Sequence, residues 1–248
     1  MNTGFTLAVL LASCGLAAGA ETNRPIAVPK EPVIEIGFVG SPEFETRSGK
    51  FSAGTAFLAK LQGEANPLLI TAQHIFGSAG GLETEVPREQ MAGFSKRATL
   101  HDLVKGKSHT MKIDSLALSG TIDVAAFRTT PGGKVKAHPF ANENPKEGDT
   151  LWLVASLEGQ PEKRILHRGS VVAVWADKIK CKFDDGKLVM RGSSGAPYVN
   201  AQGEVVGLHT GSYKDPGNIS GSLVPVETIT RTIKSALELA ATRKAQKK

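Results

Sequence analysis

Cysteine, metal-binding patterns and long apolar runs are all scarce in this chain of 248 residues. The two cysteines, Cys14 and Cys181, are too few for a disulfide framework, and no CxxC pair occurs. None of the six histidines stands at the spacing of a zinc site, so the sequence predicts neither a metal nor another cofactor. The uncharged apolar run at residues 5–20 is shorter than the roughly 20 residues that a membrane span needs, so we predict no transmembrane span.

Charge of one sign is not concentrated anywhere in the sequence. Lys and Arg number 30 against 24 Asp and Glu, which gives a net charge of +6. A basic chain attracts acidic partners in general, but these residues are scattered and no basic run is interleaved with aromatic residues. We therefore predict no nucleic-acid partner. The densest positive segment, residues 243–248, is typical of a solvated helix end.

Turn-forming residues are abundant, with 27 glycines and 13 prolines. They separate about a dozen short runs of β-prone residues, a pattern typical of barrels or sandwiches. A break near residues 131–133 divides these runs into two comparable groups. From residue 226 the pattern changes, because Ile229, Ile233 and Leu237 form a stripe at helical spacing. The sequence predicts a mostly β protein with one C-terminal helix.

The N-terminal segment resembles an export signal. The apolar run 5–20 ends in Ala-Gly-Ala and then turns polar, which predicts a signal peptide over residues 1–20. Residues 21–32 contain three prolines and form a linker or short propeptide. A competing interpretation is a lipobox that ends at Cys14, which would then carry a lipid anchor. Either interpretation predicts an exported protein, periplasmic or extracellular.

The segment 192–195, Gly-Ser-Ser-Gly, is the most informative for chemistry. Small neighbours let the backbone turn tightly, expose a serine hydroxyl and leave N–H groups free to face an oxyanion. Alone it could be an ordinary turn, but His74 follows one apolar strand and Asp123 precedes another. A serine nucleophile needs a histidine base and a carboxylate that orients it. Asp102 and Asp114 are rivals for Asp123, and His74 alone could be a structural histidine.

Five segments resemble, in order, the trypsin-like (chymotrypsin-fold) serine endopeptidases of the bacterial exported type: residues 54–58, 69–74, 123–125, 192–197 and 205–208. The resemblance implies two packed six-stranded antiparallel β-barrels with a C-terminal α-helix, and no PDZ domain. The N-terminal barrel would span residues 33–130 and the C-terminal barrel residues 131–225. Residues 226–248 would form the helix and a basic tail.

The resemblance also implies the catalytic roles. Ser194 would be the nucleophile, His74 the general base and then acid, and Asp123 the residue that orients His74. The backbone N–H groups of Gly192 and Ser194 would form the oxyanion hole. We expect a monomer that acts on a protein or peptide substrate. A catalytically silent binding protein of the same fold is the alternative, while the order His, Asp, Ser argues against an α/β-hydrolase.

The substrate pocket is also predicted from the resemblance, which implies six lining residues: Leu188, Val189, Met190, His209, Thr210 and Gly211. No acid stands at the pocket base, so a preference for Arg or Lys is disfavoured. His209 stands where glutamate-specific members carry a histidine, which favours Glu before the scissile bond. A medium apolar residue is the rival preference. Ser193 replaces the usual Asp before the nucleophile, so we expect no activation by a newly cut N-terminus.

Overall fold

The computed structural model of the chain describes residues 37–47, 49–103 and 106–246. The expected signal peptide and linker, together with Cys14, lie outside the described residues. Of the helices in the part that is described, none combines the length and apolar character that a membrane crossing needs.

The N-terminal half of the described chain folds into a closed β-barrel. Six strands form the ring in the order β1-β5-β6-β7-β4-β3, and pairing of β1 with β3 closes it. Strand β2 extends β1, and β8 pairs in parallel with β3. The strands are β1 (Val39–Thr46), β2 (Gly49–Ser52), β3 (Ala56–Lys60), β4 (Leu68–Thr71), β5 (Arg97–Asp102), β6 (Ser108–Ser115), β7 (Ala125–Pro131) and β8 (His138–Pro139). Strand β8 thus joins the first barrel although it lies beyond residue 131, where the C-terminal barrel was expected to begin.

The C-terminal half forms a second closed barrel in the order β10-β11-β14-β13-β12-β9. Its strands are all antiparallel: β9 (Thr150–Val154), β10 (Leu166–Val174), β11 (Ile179–Phe183), β12 (Pro197–Val199), β13 (Val205–Asp215) and β14 (Asn218–Pro225). Side chains of β11 alternate between the barrel interior and the outside: Ile179, Cys181 and Phe183 are buried, whereas the two lysines between them are not. The Cys181 thiol is free, and burial raises its pKa to about 12.

Phenylalanine side chains dominate the core of the first barrel. Five of them lie in mutual contact with ring centroids 5.1–6.2 Å apart: Phe44, Phe51, Phe76, Phe94 and Phe127. These separations are typical of favourable aromatic pairs. Phe76 ends the 3₁₀ turn Gln73–Phe76, and Phe94 ends the one-turn helix α1 (Met91–Phe94). The cluster therefore anchors the segment that carries His74 to the barrel core.

The predicted C-terminal helix is confirmed as α2 (Val226–Ala245). Ile229 and Ile233 are fully buried, so the apolar stripe faces the β-structure as its spacing indicates. Asn144 caps the first turn, because its side-chain oxygen accepts the Glu227 N–H at 3.1 Å. The predicted fold of two six-stranded barrels with one C-terminal helix is thus correct.

Candidate active site

His74 lies in a short turn that directly follows strand β4 of the first barrel. Strand β4 ends at Thr71, and the chain enters a 3₁₀ turn over Gln73–Phe76. Ile75 and Phe76 are buried, so their side chains hold the turn against the core of the first barrel. The side chain of His74 itself keeps 29% of its surface exposed. The local sequence thus fastens the turn to the core and leaves the imidazole at the surface of the barrel.

Asp123 holds His74 through two hydrogen bonds. Its Oδ1 accepts the backbone N–H of His74 at 2.9 Å, and its Oδ2 accepts Nδ1–H of the ring at 2.6 Å. Burial alone raises the pKa of Asp123, but the hydrogen bonds and charge of His74 outweigh it and leave the pKa lowered. The carboxylate is therefore ionised at neutral pH. Of its sequence rivals, Asp114 has a side chain 65% exposed and pairs with Lys96 at 3.7 Å.

Ser194 completes the line on the opposite side of the imidazole. Because Nδ1 of His74 donates to the carboxylate, Nε2 is the acceptor in the 2.8 Å hydrogen bond from the Ser194 hydroxyl. The three predicted residues, His74, Asp123 and Ser194, are therefore brought together from positions 49 and 120 residues away from His74. This arrangement can move a proton from the hydroxyl to the ring.

The turn that carries Ser194 is closed by its own neighbours. Ser193 is fully buried, and both its N–H and its hydroxyl donate to the Met190 carbonyl, at 3.2 and 2.6 Å. The N–H of Ala196 donates to the Ser193 carbonyl at 2.9 Å, and that of Gly195 to the His209 carbonyl at 2.8 Å. The residue that replaces the usual Asp is thus a satisfied structural serine.

Hydrogen bonds connect the first barrel to this turn through Thr55, which Thr71 supports, and neither threonine was predicted from the sequence. Thr55 N–H donates to the Ser194 carbonyl and Thr55 Oγ1 to the Gly192 carbonyl, both at 2.8 Å. Thr71 Oγ1 in turn donates to the Thr55 carbonyl at 2.7 Å. Thr55 belongs to the 54–58 segment, but nothing in its pattern indicated a contact with the nucleophile turn. These bonds fix the serine of one barrel relative to the histidine of the other.

Two backbone donors border the nucleophile. Among the residues that the structure describes, no protein oxygen accepts a hydrogen bond from the N–H of Gly192 or from that of Ser194. Gly192 has φ +82°, a left-handed conformation that glycine adopts without strain. Both N–H groups are therefore available to an oxygen atom of a bound molecule.

Comparison with known proteins agrees with this geometry. A sequence model described as "Trypsin-like peptidase domain" matches residues 54–208, which is more than half of the chain. The chain belongs to the trypsin-like peptidase domain family. It is accordingly a serine endopeptidase, a hydrolase. A search of curated proteins finds no match.

Solved structures share the fold at low sequence identity. The inactive form of the protease Rv3671c is 15% identical with a TM-score of 0.50, over 79% of this chain and 88% of that one. A serine-to-alanine mutant of Rv3671c from M. tuberculosis H37Rv, also inactive, is 15% identical with a TM-score of 0.51, over 92% of this chain and 97% of that one. The serine endoprotease from Yersinia pestis is 16% identical with a TM-score of 0.52, over 82% of this chain and 63% of that one. At such identities the likeness extends to the fold alone.

His209 of this trypsin-like domain lies buried directly behind the nucleophile turn. Its side chain is 1% exposed, and Nδ1 is 3.1 Å from the hydroxyl of the fully buried Tyr198. Burial, with a smaller contribution from the charge of His74, lowers the pKa of His209 to about 3, so the ring is neutral at neutral pH. Gly221 makes room for the pair, because a Cβ there would lie 2.0 Å from the Tyr198 hydroxyl. Tyr198 was not predicted, although it follows Pro197 in the serine motif.

The other predicted pocket residues of the trypsin-like domain differ in their surroundings. Leu188 is buried in the core of the second barrel, Met190 is half-buried against that core, and Val189 is 46% exposed. Thr210 is half-buried and its hydroxyl donates to the Ser222 carbonyl at 3.4 Å, while Gly211 lies at an irregularity in the β13–β14 pairing. Their contact with substrate stays a prediction.

Proposed function

We propose that this serine endopeptidase hydrolyses peptide bonds through an acyl-enzyme formed on Ser194. The observation that carries the proposal is the continuous line from Asp123 through His74 to Ser194, with hydrogen bonds of 2.6 and 2.8 Å. A serine hydroxyl is a poor nucleophile until a base removes its proton, and the neutral imidazole is that base.

In the first half of the reaction, Ser194 Oγ attacks the scissile carbonyl carbon while its proton passes to Nε2 of His74. The carbonyl oxygen becomes an oxyanion, and Asp123 stabilises the imidazolium that forms. His74 then gives the proton to the leaving amine as the C–N bond breaks, which leaves the acyl group on Ser194. In the second half, water attacks the acyl carbon while His74 accepts a proton from the water. The bond from the acyl carbon to Ser194 Oγ then breaks, His74 returns the proton to Oγ, and the product carboxylic acid is released.

The oxyanion would be stabilised by the N–H groups of Gly192 and Ser194. Preorganised donors of this kind lower the barrier because they need no reorientation as charge develops, and each one contributes about 3 kcal/mol. The proposal is supported by the absence of any intramolecular acceptor for these two groups within the described residues.

Labelling with a fluorophosphonate tests the proposed nucleophile. The purified protein should take up one label, peptide mapping should locate the label on Ser194, and prior denaturation should abolish uptake. Cys181, a buried thiol, should remain unlabelled. Folded protein that takes up no label would instead favour the catalytically silent binding protein.

We propose Glu as the preferred residue before the scissile bond, with His209 as its reader. The Tyr198 hydroxyl is hydrogen-bonded to Nδ1 of His209, so Nε2 is the nitrogen of the His209 ring that remains for a substrate group. An acidic side chain would raise the pKa of His209 from about 3, so binding takes up a proton. The preference for Glu over Gln should therefore increase as pH falls from 8 toward 5, while the substrate carboxylate is still ionised.

Matched peptides that differ only in Glu, Gln, Val or Lys before the cleaved bond check this prediction. We expect kcat/KM for Glu to exceed that for Gln by about tenfold or more, and His209→Ala to remove most of that difference. Tyr198→Phe should reduce it in part. Equal rates for Glu and Gln at every pH, with Val the best substrate, would identify a medium apolar preference instead.

We also propose that the protein is exported after removal of residues 1–20 and acts as a monomer. The apolar run and the small residues that end it support export. Fractionation of the expressing cells, with mass measurement of the mature N-terminus, should give a first residue of Glu21. A membrane-bound product that starts at a lipid-modified Cys14 would identify the lipid anchor, and an unprocessed N-terminus would contradict export.

A further inference from the structure

Arg88 approaches the catalytic carboxylate from a loop that the proposed mechanism does not use. It begins the one-turn 3₁₀ helix Arg88–Gln90, which precedes α1. Its Nη1 donates to the Val124 carbonyl at 3.2 Å, and its Nη2 donates to the Ile122 carbonyl. These two carbonyls belong to the residues directly before and after Asp123. One guanidinium thus bridges the carbonyl groups of the two residues on either side of Asp123.

We propose that Arg88 is a positioning residue for Asp123: its guanidinium fixes the carbonyl groups of the residues before and after Asp123 and so keeps the carboxylate in line with His74. The inference rests on the proposed function of the site. It concerns the backbone that carries Asp123 and adds no step to the chemistry.

The carboxylate of Asp123 accepts hydrogen bonds from the backbone of Gln73 and from His74, but the backbone of the Asp123 segment has little other long-range support. It precedes β7, which begins at Ala125, and has irregular backbone from residue 116 onward. The local bonds there are short-range, such as Val124 N–H to the Ile122 carbonyl at 2.9 Å. Arg88 therefore supplies a long-range tie where ladder hydrogen bonds are missing.

The shape of arginine suits this position. A planar guanidinium presents several N–H groups in a fixed fork, so it reaches two carbonyls at once, whereas a lysine ammonium is a compact point charge. Burial lowers the pKa of Arg88, while the negative charges of Asp123 and Glu85 act in the opposite direction. Arginine remains charged under these conditions, which places a fixed cation beside the Asp123 carboxylate.

A role limited to folding would lower the amount of active enzyme and leave kcat per active site unchanged. A positioning role would instead lower kcat at each active site.

The test compares Arg88→Met, which keeps the apolar stem, with Arg88→Lys, which keeps the charge. Arg97→Met is the control. Arg97 is half-exposed, and its Nε lies 3.7 Å from a carboxylate oxygen of Glu45, in a pair that is not part of the site. Rates are divided by the concentration of sites titrated with fluorophosphonate. We expect Arg88→Met to lower kcat about 10- to 100-fold with KM changed less than about threefold. Arg88→Lys should recover only part of kcat, because it keeps the charge but lacks the planar fork that reaches both carbonyls, and Arg97→Met should stay within about twofold of wild type.

A second readout does not depend on activity. The proton in the 2.6 Å hydrogen bond between His74 Nδ1 and Asp123 Oδ2 should give a low-field NMR resonance, and that resonance should shift or broaden in Arg88→Met and not in Arg97→Met. An unchanged kcat per titrated site together with an unchanged resonance in a folded Arg88→Met variant would overturn the inference. A wild-type protein that neither labels nor cleaves would contradict the proposed function instead, and the resonance would still decide the role of Arg88.

Discussion

Ser194→Ala is expected to lower kcat by about 10⁵- to 10⁶-fold and to leave the free energy of unfolding nearly unchanged. The activity loss is large because the residues of such a site act as one unit, and the remaining groups cannot form the acyl-enzyme. The stability change is small because the Ser194 hydroxyl makes one hydrogen bond, to a ring that is partly exposed. Water can replace that partner at a cost of about 1 kcal/mol.

Hydrolysis of a fluorogenic peptide, followed over hours at high enzyme concentration, measures the residual rate. Ser193→Ala is the matched control, since its hydroxyl bonds the Met190 carbonyl and faces no reacting atom. We expect that control to keep activity within about tenfold and to lose about 1 kcal/mol of stability. Adding His74→Ala to Ser194→Ala should reduce the rate no further. Wild-type activity in highly purified Ser194→Ala would show that another residue is the nucleophile.

The contact among the three central residues could be anticipated because each has its own local pattern. Gly on both sides marks the serine turn, and an apolar strand precedes the histidine. The choice of Asp123 over Asp102 and Asp114 depended on the resemblance, because spacing alone does not tell which loop reaches His74. The structure adds the physical reason: Asp123 lies just before β7, the neighbour of the strand that leads to His74.

The supporting residues could not be read from the sequence, since their contacts depend on how distant loops meet. Thr55 and Thr71 lie in ordinary apolar segments, and only the packing of the barrels brings the Thr55 hydroxyl, whose backbone carbonyl Thr71 bonds, to the nucleophile turn. Arg88 lies in a loop without periodicity, so no pattern connects it to a segment 34–36 residues away. Burial shows the same limit, because in the irregular segment before the serine turn the sequence does not indicate that Leu188 is buried while Val189 is exposed.

Gly195→Ala is expected to destabilise the protein by about 4 kcal/mol or more and to slow fluorophosphonate labelling at least about 100-fold. Gly195 has φ +86°, which costs an alanine about 1–2 kcal/mol. A Cβ there would also lie 2.2 Å from the Thr55 carbonyl oxygen, 2.4 Å from Thr71 Oγ1 and 2.8 Å from the Ala72 nitrogen. Two of these atoms are backbone, so the barrel itself has to move, which places the change among the most damaging substitutions.

Gly192→Ala separates the two contributions, because Gly192 has nearly the same φ, +82°, but no heavy atom within 4 Å of the added Cβ. Urea denaturation of both variants should therefore give a loss of about 1–2 kcal/mol for Gly192→Ala and a clearly larger loss for Gly195→Ala. The difference measures how closely the first barrel packs on the nucleophile turn. Thr55 hydrogen-bonds that turn, Thr71 of β4 hydrogen-bonds Thr55, and β4 leads to His74, so a barrel pushed away from Gly195 also carries the base away from Ser194. Equal destabilisation by the two substitutions would mean that the turn is held by its own backbone and that the barrels meet there without close packing.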